Sequence, residues 1–476
     1  MLSFSDYPTA ERAFHFFVEI SKIPHVSFHT EKLADYLESF AKERGLFCVR
    51  DGANNVLIRK GASAGYESHP TVVFQGHIDM VPEHLPEKNI DMEKEPITLV
   101  RDGEFLRADG TTLGGDDGVA VAYALAVLDD DSLPHPEFEA LFTSEEEVGL
   151  LGATALDPTP IRGRVMINID SDDEGVFTVG CAGGARVDLT LPAKREPVSG
   201  VAYRVAVGEF VGGHSGAEID KGHENAILFL GELLREIRAK HALRIASAVG
   251  GNADNAIPRN ASCVFFADGA SLEEIRLICE EWFAKIKKNE PFSVVEAKKV
   301  GDVSDAYTAE DSDRFLSLLE RVPNGVQAMS KQIAGLVETS LNLGMLDTDE
   351  GFHVTHSVRS SKEEAKDALI ATLYRVAEEL GGEHSIRGEY PAWEYREDSP
   401  LRNLLCRVYR EMYGKDAKVL VIHAGLECGI LSSKLEGLDC VSLGPDNFDI
   451  HTTKEHLSIP SFVRVYEYLL RVLAAL

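Results

Sequence analysis

Histidines and carboxylates gather in four short clusters between residues 77 and 174 of this 476-residue chain. They are His77-Ile-Asp79, Gly114-Gly115-Asp116-Asp117-Gly118, Ser144-Glu145-Glu146-Glu147-Val148-Gly149 and Asn168-Ile169-Asp170-Ser171-Asp172-Asp173-Glu174. An imidazole and a carboxylate two residues apart allow His77 to bind a cation while Asp79 orients the ring. Each cluster also has a plain reading. His77 is then a hydrogen-bonded strand end, Asp116 and Asp117 are helix caps, and Glu145–Glu147 and Asp170–Glu174 are solvated acid runs. The order of the four carries more than any one does. Imidazoles and carboxylates without thiolates form the donor set of a hydrolytic zinc or manganese centre. Two divalent ions would also offset the cost of gathering so many anions.

Those residues need elements to place them. Thr71–Gln75, Phe138–Thr143 and Arg164–Ile169 are apolar enough for buried strands, and a cluster follows each. Ligand sites in α/β sheets lie at the carboxyl ends of strands. Thr30–Glu43 reads as an amphipathic helix with Leu33, Tyr36, Leu37 and Phe40 on one face, and Gly118–Leu128 as a helix packed on the sheet. A further helix is expected over Glu147–Leu156. The Gly-rich stretch Gly180–Ala185 marks a joint, and strands (Arg186–Leu191, Tyr203–Val207) and helices (Glu224–Lys240, Leu272–Lys288, Thr308–Arg321, Ser361–Leu380) follow it. A second joint lies near Gly388–Pro400, after which come the strand Cys440–Leu443 and a terminal helix from Ser461. The pattern is an α/β domain interrupted by an inserted segment.

Composition removes several classes of function. Hydrophobic residues are 44% and charged residues 26%, ordinary values that exclude a disordered or fibrous chain. With 48 Lys and Arg against 78 Asp and Glu, the net charge of −30 repels nucleic acid and anionic lipid. The longest apolar run, near Val119–Leu128, is half of the roughly 20 residues that a bilayer span requires. The start, MLSFSDYPTAERAF, has no basic or apolar region of a secretory signal. Seven scattered cysteines without a CxxC suit reduced thiols, so the expected location is the cytoplasm.

The runs FQGHIDMV, GTTLGGDDG, TSEEEVGLLGA and NIDSDDEG, followed by VGGHSGAEI, GGNADNAIPR, HAGLECGIL and the late His451, resemble the M20 family of metallopeptidases. The likeness is to its aminoacyl-histidine dipeptidase (Xaa-His dipeptidase, PepD-like) branch and spans nearly the whole chain. The resemblance implies an α/β zinc-peptidase-like catalytic domain with a mixed central sheet flanked by helices, formed by residues 1–185 and 393–476. Residues 186–392 would be an inserted α+β lid and dimerisation domain, with a homodimer as the implied assembly. It also implies two divalent metal ions, zinc first and manganese or cobalt as alternatives. Asp116 would bridge them, with His77 and Asp170 on one ion and Glu147 and His451 on the other. Glu146 would be the general base acting on a water between the ions, Asp79 the partner of His77, and Glu145 a spare.

Asp117 stands where the branch often has Asn, and the turn usually found around the last histidine is absent; His456 is the second choice there. His214 would polarise the scissile carbonyl, while Asn255, Arg359, Gly425 and Glu427 would contact substrate. Arg359 would pair with a terminal carboxylate through its planar fork. A serine-hydrolase elbow fails at Gly213–Ala217, because Ala217 occupies the position of its last glycine. The implied reaction is hydrolysis of short unblocked Xaa-His dipeptides. Other di- or tripeptides, or N-acyl amino acids, are the alternative substrates, and a catalytically silent protein on this fold is disfavoured by the full ligand set.

Overall fold

A computed structural model describes residues 2–301 and 303–476. The chain divides into two compact units, one of residues 1–181, 395–422 and 426–476, the other of residues 182–394 and 423–425. The short segment His423–Gly425 thus groups with the second unit, away from the 393–476 stretch in which the sequence places it.

The first unit is built on an eight-stranded mixed sheet. In spatial order its strands are Phe47–Arg50, Val56–Lys60, Phe138–Thr143, Val72–His77, Val165–Asn168, Asp439–Ser442, Val176–Cys181 and Lys418–Ile422. The run from Phe138–Thr143 to Asp439–Ser442 is parallel throughout. Burial on both faces explains why these strands read as continuous apolar runs. One face is covered by the helix Gly115–Asp129, whose residues from Gly118 to Leu128 are all buried. A methyl group at Gly118 would lie 3.3 Å from both Phe17 and Ile20 of the helix Glu11–Ile20, so glycine sets how closely the two helices pack.

A smaller four-stranded sheet joins Leu99–Asp102, Phe105–Ala108, His456–Ser458 and Asn447–Phe448. Its Asn447–Phe448/His456–Ser458 pair is antiparallel, so residues 449–455 form a hairpin loop. The helix expected over Glu147–Leu156 is reduced to Leu151–Ala155. Gly149 (φ 109°) and Leu150 (φ 61°) are left-handed and break it, and the Glu146 and Glu147 N–H groups are bound by Asp79.

The second unit is a nine-stranded antiparallel sheet. Four helices, Ala226–Lys240, Leu272–Ile286, Ala309–Arg321 and Glu363–Glu379, share its apolar core. Three begin at side-chain caps (Asn225, Ser271 and Thr308) that accept N–H bonds from the first turn. No helix among the described residues is long and apolar enough to cross a membrane.

Candidate metal centre

Three of the parallel strands end in the sequence clusters, and the 449–455 hairpin adds a histidine. His77 closes its strand, Glu145–Glu147 follow Thr143, Asp170 follows Asn168, and His451 adopts a left-handed conformation (φ 60°) in the hairpin. His77 Nε2 lies 2.9 Å from Asp116 Oδ1 and 3.7 Å from Asp170 Oδ1. His451 Nε2 lies 3.1 Å from Asp116 Oδ2 and 3.0 Å from Glu147 Oε1. Two triads result, His77–Asp116–Asp170 and Asp116–Glu147–His451, each with ligand atoms within 4.8 Å of one another. Asp116 belongs to both and offers one oxygen to each side. His77, Glu146 and Glu147 form a third overlapping group. His456 joins none of them: its Nδ1 faces the Lys454 carbonyl at 2.9 Å.

The donor set suits borderline divalent ions, since it offers imidazole nitrogens and carboxylate oxygens and no thiolate. Glu147 Oε1 is buried, and among the described residues its one close polar neighbour on record is His451 Nε2, at 3.0 Å. A buried carboxylate oxygen left this way fits a cation ligand.

Neighbouring residues fix the geometry. Asp79 is a hub: its carboxylate accepts the Glu146 N–H (2.9 Å), the Glu147 N–H (3.2 Å) and the Ser27 hydroxyl (2.8 Å). His77 Nδ1 hydrogen-bonds the Asp79 main-chain oxygen at 2.9 Å and lies 3.4 Å from its carboxylate, so Nε2 faces Asp116. Glu145 turns away and accepts from the Phe28 N–H and the Thr30 hydroxyl. Asp117 Oδ2 accepts the His77 N–H at 3.2 Å. A side chain at Gly76 would meet that oxygen at 2.1 Å, which is why the residue before His77 is glycine.

Sequence reasoning missed Glu455. Its oxygens accept the N–H groups of Leu113 (2.7 Å), Gly114 (3.2 Å) and Gly115 (2.8 Å), clamping the turn that carries Asp116. An acid between His451 and His456 in a polar run carries no signal of that task. Glu427, expected on a pocket wall, is fully buried. Its Oε2 accepts from Gln75 Nε2 and the Thr143 hydroxyl, both at 2.6 Å.

Burial dominates the electrostatics. It pushes Glu146 up to about 8, against the pull of His77 and with help from Glu427 and Asp116. It raises Asp170 well above the carboxylate range, and lifts Glu427 and Asp172 to about 7. At Asp116 burial is overcome by bonds from His451 and His77, so its carboxyl stays well below the usual range. Hydrogen bonds to Asp116 and Glu147 hold His451 up to about 10.

The second unit contains His214, Asn255, Arg359 and Gly425. The turn before His214 uses two left-handed glycines, Gly212 (φ 68°) and Gly213 (φ 135°). His214 Nδ1 accepts the N–H groups of Gly216 (3.2 Å) and Ala217 (3.0 Å), which places the proton of the neutral ring on Nε2. Burial, followed by the Arg359 charge, lowers its pKa and keeps it neutral. The Asn255 carbonyl accepts the Ser215 N–H at 2.8 Å. Arg359 Nη1 donates to Tyr390 Oη at 3.2 Å, and the Tyr390 ring packs where a Gly425 side chain would stand.

The family model of peptidase family M20/M25/M40 matches residues 73–475. The chain is 36% identical over 460 residues to the cytosol non-specific dipeptidase of Escherichia coli (strain K12), covering 94% of this chain and 93% of that one. The crystal structure of an aminoacylhistidine dipeptidase from Vibrio alginolyticus is similar with a TM-score of 0.91 and 33% identity, over 98% of this chain and 96% of that one. A tripeptidase from Staphylococcus aureus shares the fold at a TM-score of 0.55 and 16% identity, over 98% and 97% of the two chains.

Proposed function

Because the chain belongs to peptidase family M20/M25/M40, we propose that it is a cytoplasmic metallodipeptidase that cleaves short unblocked dipeptides, Xaa-His dipeptides among them. The observation that carries this reading is the pair of triads sharing Asp116. His77, Asp116 and Asp170 would hold one divalent ion, and Asp116, Glu147 and His451 the other. Such ions supply Lewis acidity, acidifying a water and polarising a carbonyl.

The chain's own residues do the rest. Glu146 takes a proton from water and returns it to the leaving amine. The Asp79 carboxylate fixes the Glu146 backbone at the strand end. His214, its neutral tautomer set by two backbone N–H groups, would be a donor from Nε2 for the developing oxyanion. Asn255 and Arg359 contact substrate, Arg359 pairing with its carboxylate. Glu427, being buried, supports Gln75 and Thr143 in this reading.

A broader dipeptide range is favoured by the relative described as non-specific. Purified protein supplied with zinc or manganese should hydrolyse Ala-His, carnosine or Ala-Leu and lose that activity to a chelator. Cleavage of an acetylated amino acid with all dipeptides left intact would reject the reading in favour of a deacylase.

A further inference from the structure

Among the described residues, the buried polar atoms of the second unit without a hydrogen-bond partner include Ser215 Oγ, Arg359 Nε and His423 Nδ1. A methyl group added at Gly216 would lie 2.5 Å from the His423 carbonyl oxygen, 3.1 Å from His214 Cε1 and 3.3 Å from Arg359 Nε. The bare glycine therefore lets the three residues converge. His423 was not among the residues that the sequence suggested for the site.

The tautomer of His423 follows from its partner. Its Nε2 lies 2.7 Å from the hydroxyl of Ser340, which is fully buried and whose side chain makes no other hydrogen bond. When that hydroxyl donates to Nε2, the ring carries its proton on Nδ1, the nitrogen left open to a ligand. Burial, followed by the Arg359 charge, lowers the ring's pKa to about 4, which keeps it uncharged at neutral pH. Three free donors, a guanidinium N–H, an imidazole N–H and a hydroxyl, then belong to residues that meet around Gly216. Donors of this kind, one of them cationic, call for an anionic acceptor with two oxygens.

We propose that His423, oriented by Ser340, is a specificity-determining residue that donates Nδ1–H, beside Arg359 and Ser215, to the free carboxylate of a dipeptide. This rests on the dipeptidase reading and adds the residue by which a free C-terminus is told from a blocked one. A site built to hydrogen-bond a carboxylate penalises the amide, because buried donors then face an NH₂ group.

The test titrates a dipeptide and its C-terminal amide calorimetrically into metal-loaded wild type, His423→Leu and His423→Asn, with KM and kcat measured in parallel. His423→Leu should weaken dipeptide binding and raise its KM tenfold or more, with kcat changed much less, and should shrink the preference over the amide by the same factor. His423→Asn keeps an N–H near the Nδ1 position and should restore most of that preference. Equal losses on dipeptide and amide, or an Asn variant as impaired as the Leu variant, would overturn the proposal. Should His423→Leu fail to fold, Ser340→Ala frees the ring and should cut the preference several-fold; an unchanged ratio overturns it equally. Wild-type protein that binds both ligands with the carboxylate preference yet cleaves no dipeptide would count against the dipeptidase reading and for the His423 assignment.

Discussion

Glu455→Gln isolates the clamp on Asp116. In the wild type, Oε2 accepts from Leu113 and Gly114, while Oε1 accepts from Gly115 and from Asn447 Nδ2 at 3.3 Å. A glutamine converts one of these oxygens into an NH₂ group. Whichever way the amide is turned, at least one short bond, to Leu113 or Gly115, becomes donor against donor. Each buried N–H stranded in this way costs about 1–3 kcal/mol. At about 1.4 kcal/mol per decade that is roughly tenfold to a hundredfold in an equilibrium constant, and residues that orient metal ligands cost about 10–100-fold when changed. Because Asp116 serves both triads, the loss should fall on two ions alike. Calorimetric titration of zinc or manganese, with a competing chelator, reads both affinities. Wild-type affinity at both sites, or a loss confined to one, would refute the reasoning.

Glu146→Gln should keep both metal affinities while kcat falls by about 10²–10⁴-fold, the usual share of a positioned base; near-wild-type turnover would remove Glu146 from its role. Gly76→Ala drives a methyl group to 2.1 Å from Asp117 Oδ2 and 2.3 Å from Ala120 Cβ, so denaturant unfolding should show a loss of about 1–3 kcal/mol, typical of overpacking; unchanged stability would contradict the packing. The metal-free protein should lose stability as pH rises. Glu146 (about 8), Glu427 and Asp172 (about 7) and His451 (about 10) all have folded values above their ordinary ones. The stability each contributes is complete below its ordinary pKa and disappears as pH rises through the folded value. Asp79 and Asp116 are depressed, so their contributions are lost only in acid and leave this window untouched. The depressed histidines, among them His214 and His423, add stability as pH rises to their ordinary 6.5 and none beyond it. Tm should therefore fall between pH 7 and pH 9 without metal, and a flat or rising profile there would reject the assignments.

The parallel strands were legible because burial on both faces leaves an uninterrupted apolar run, and the turn chemistry after each run marks its end. The ligand clusters were legible for the same reason, since the carboxyl edge of such strands is where side chains emerge. What periodicity could not show was reach across the chain. Glu455 acts on residues some 340 positions away, and its neighbours in sequence say nothing of Leu113. Glu427 looked like a pocket residue beside Gly425, yet the strand ends draw it into the interior through Gln75 and Thr143. The helix expected from Glu147 failed because Asp79, distant in sequence, binds the N–H groups at its start, and Leu150 then turns left-handed. His423 opens the HAGLECGIL run, but the run assigned it no role; only the buried hydroxyl of Ser340 and an unpartnered Nδ1 single it out.

The same carboxylates that would hold metal burden the metal-free fold. The two triads contain Asp116, Asp170 and Glu147 against two imidazoles, with Glu146 and Asp79 alongside and no lysine or arginine among the ligand groups. Asp170 carries the penalty most plainly, since burial raises it well above the carboxylate range and its neighbours include Asp117 and Asp116. Asp170→Asn keeps the shape and removes an ionisable group that the unfolded chain would ionise freely at pH 8. The metal-free variant should therefore melt higher than the metal-free wild type at pH 8, with the gap narrowing towards pH 4, where unfolded aspartate is itself about half protonated. Metal affinity should fall at the site of His77, while the site of His451, which does not include Asp170, should change far less. A variant that melts lower without metal at pH 8 would mean that Asp170 is held by fixed protein contacts rather than reserved for a cation, and the assignment of that triad would fail with it.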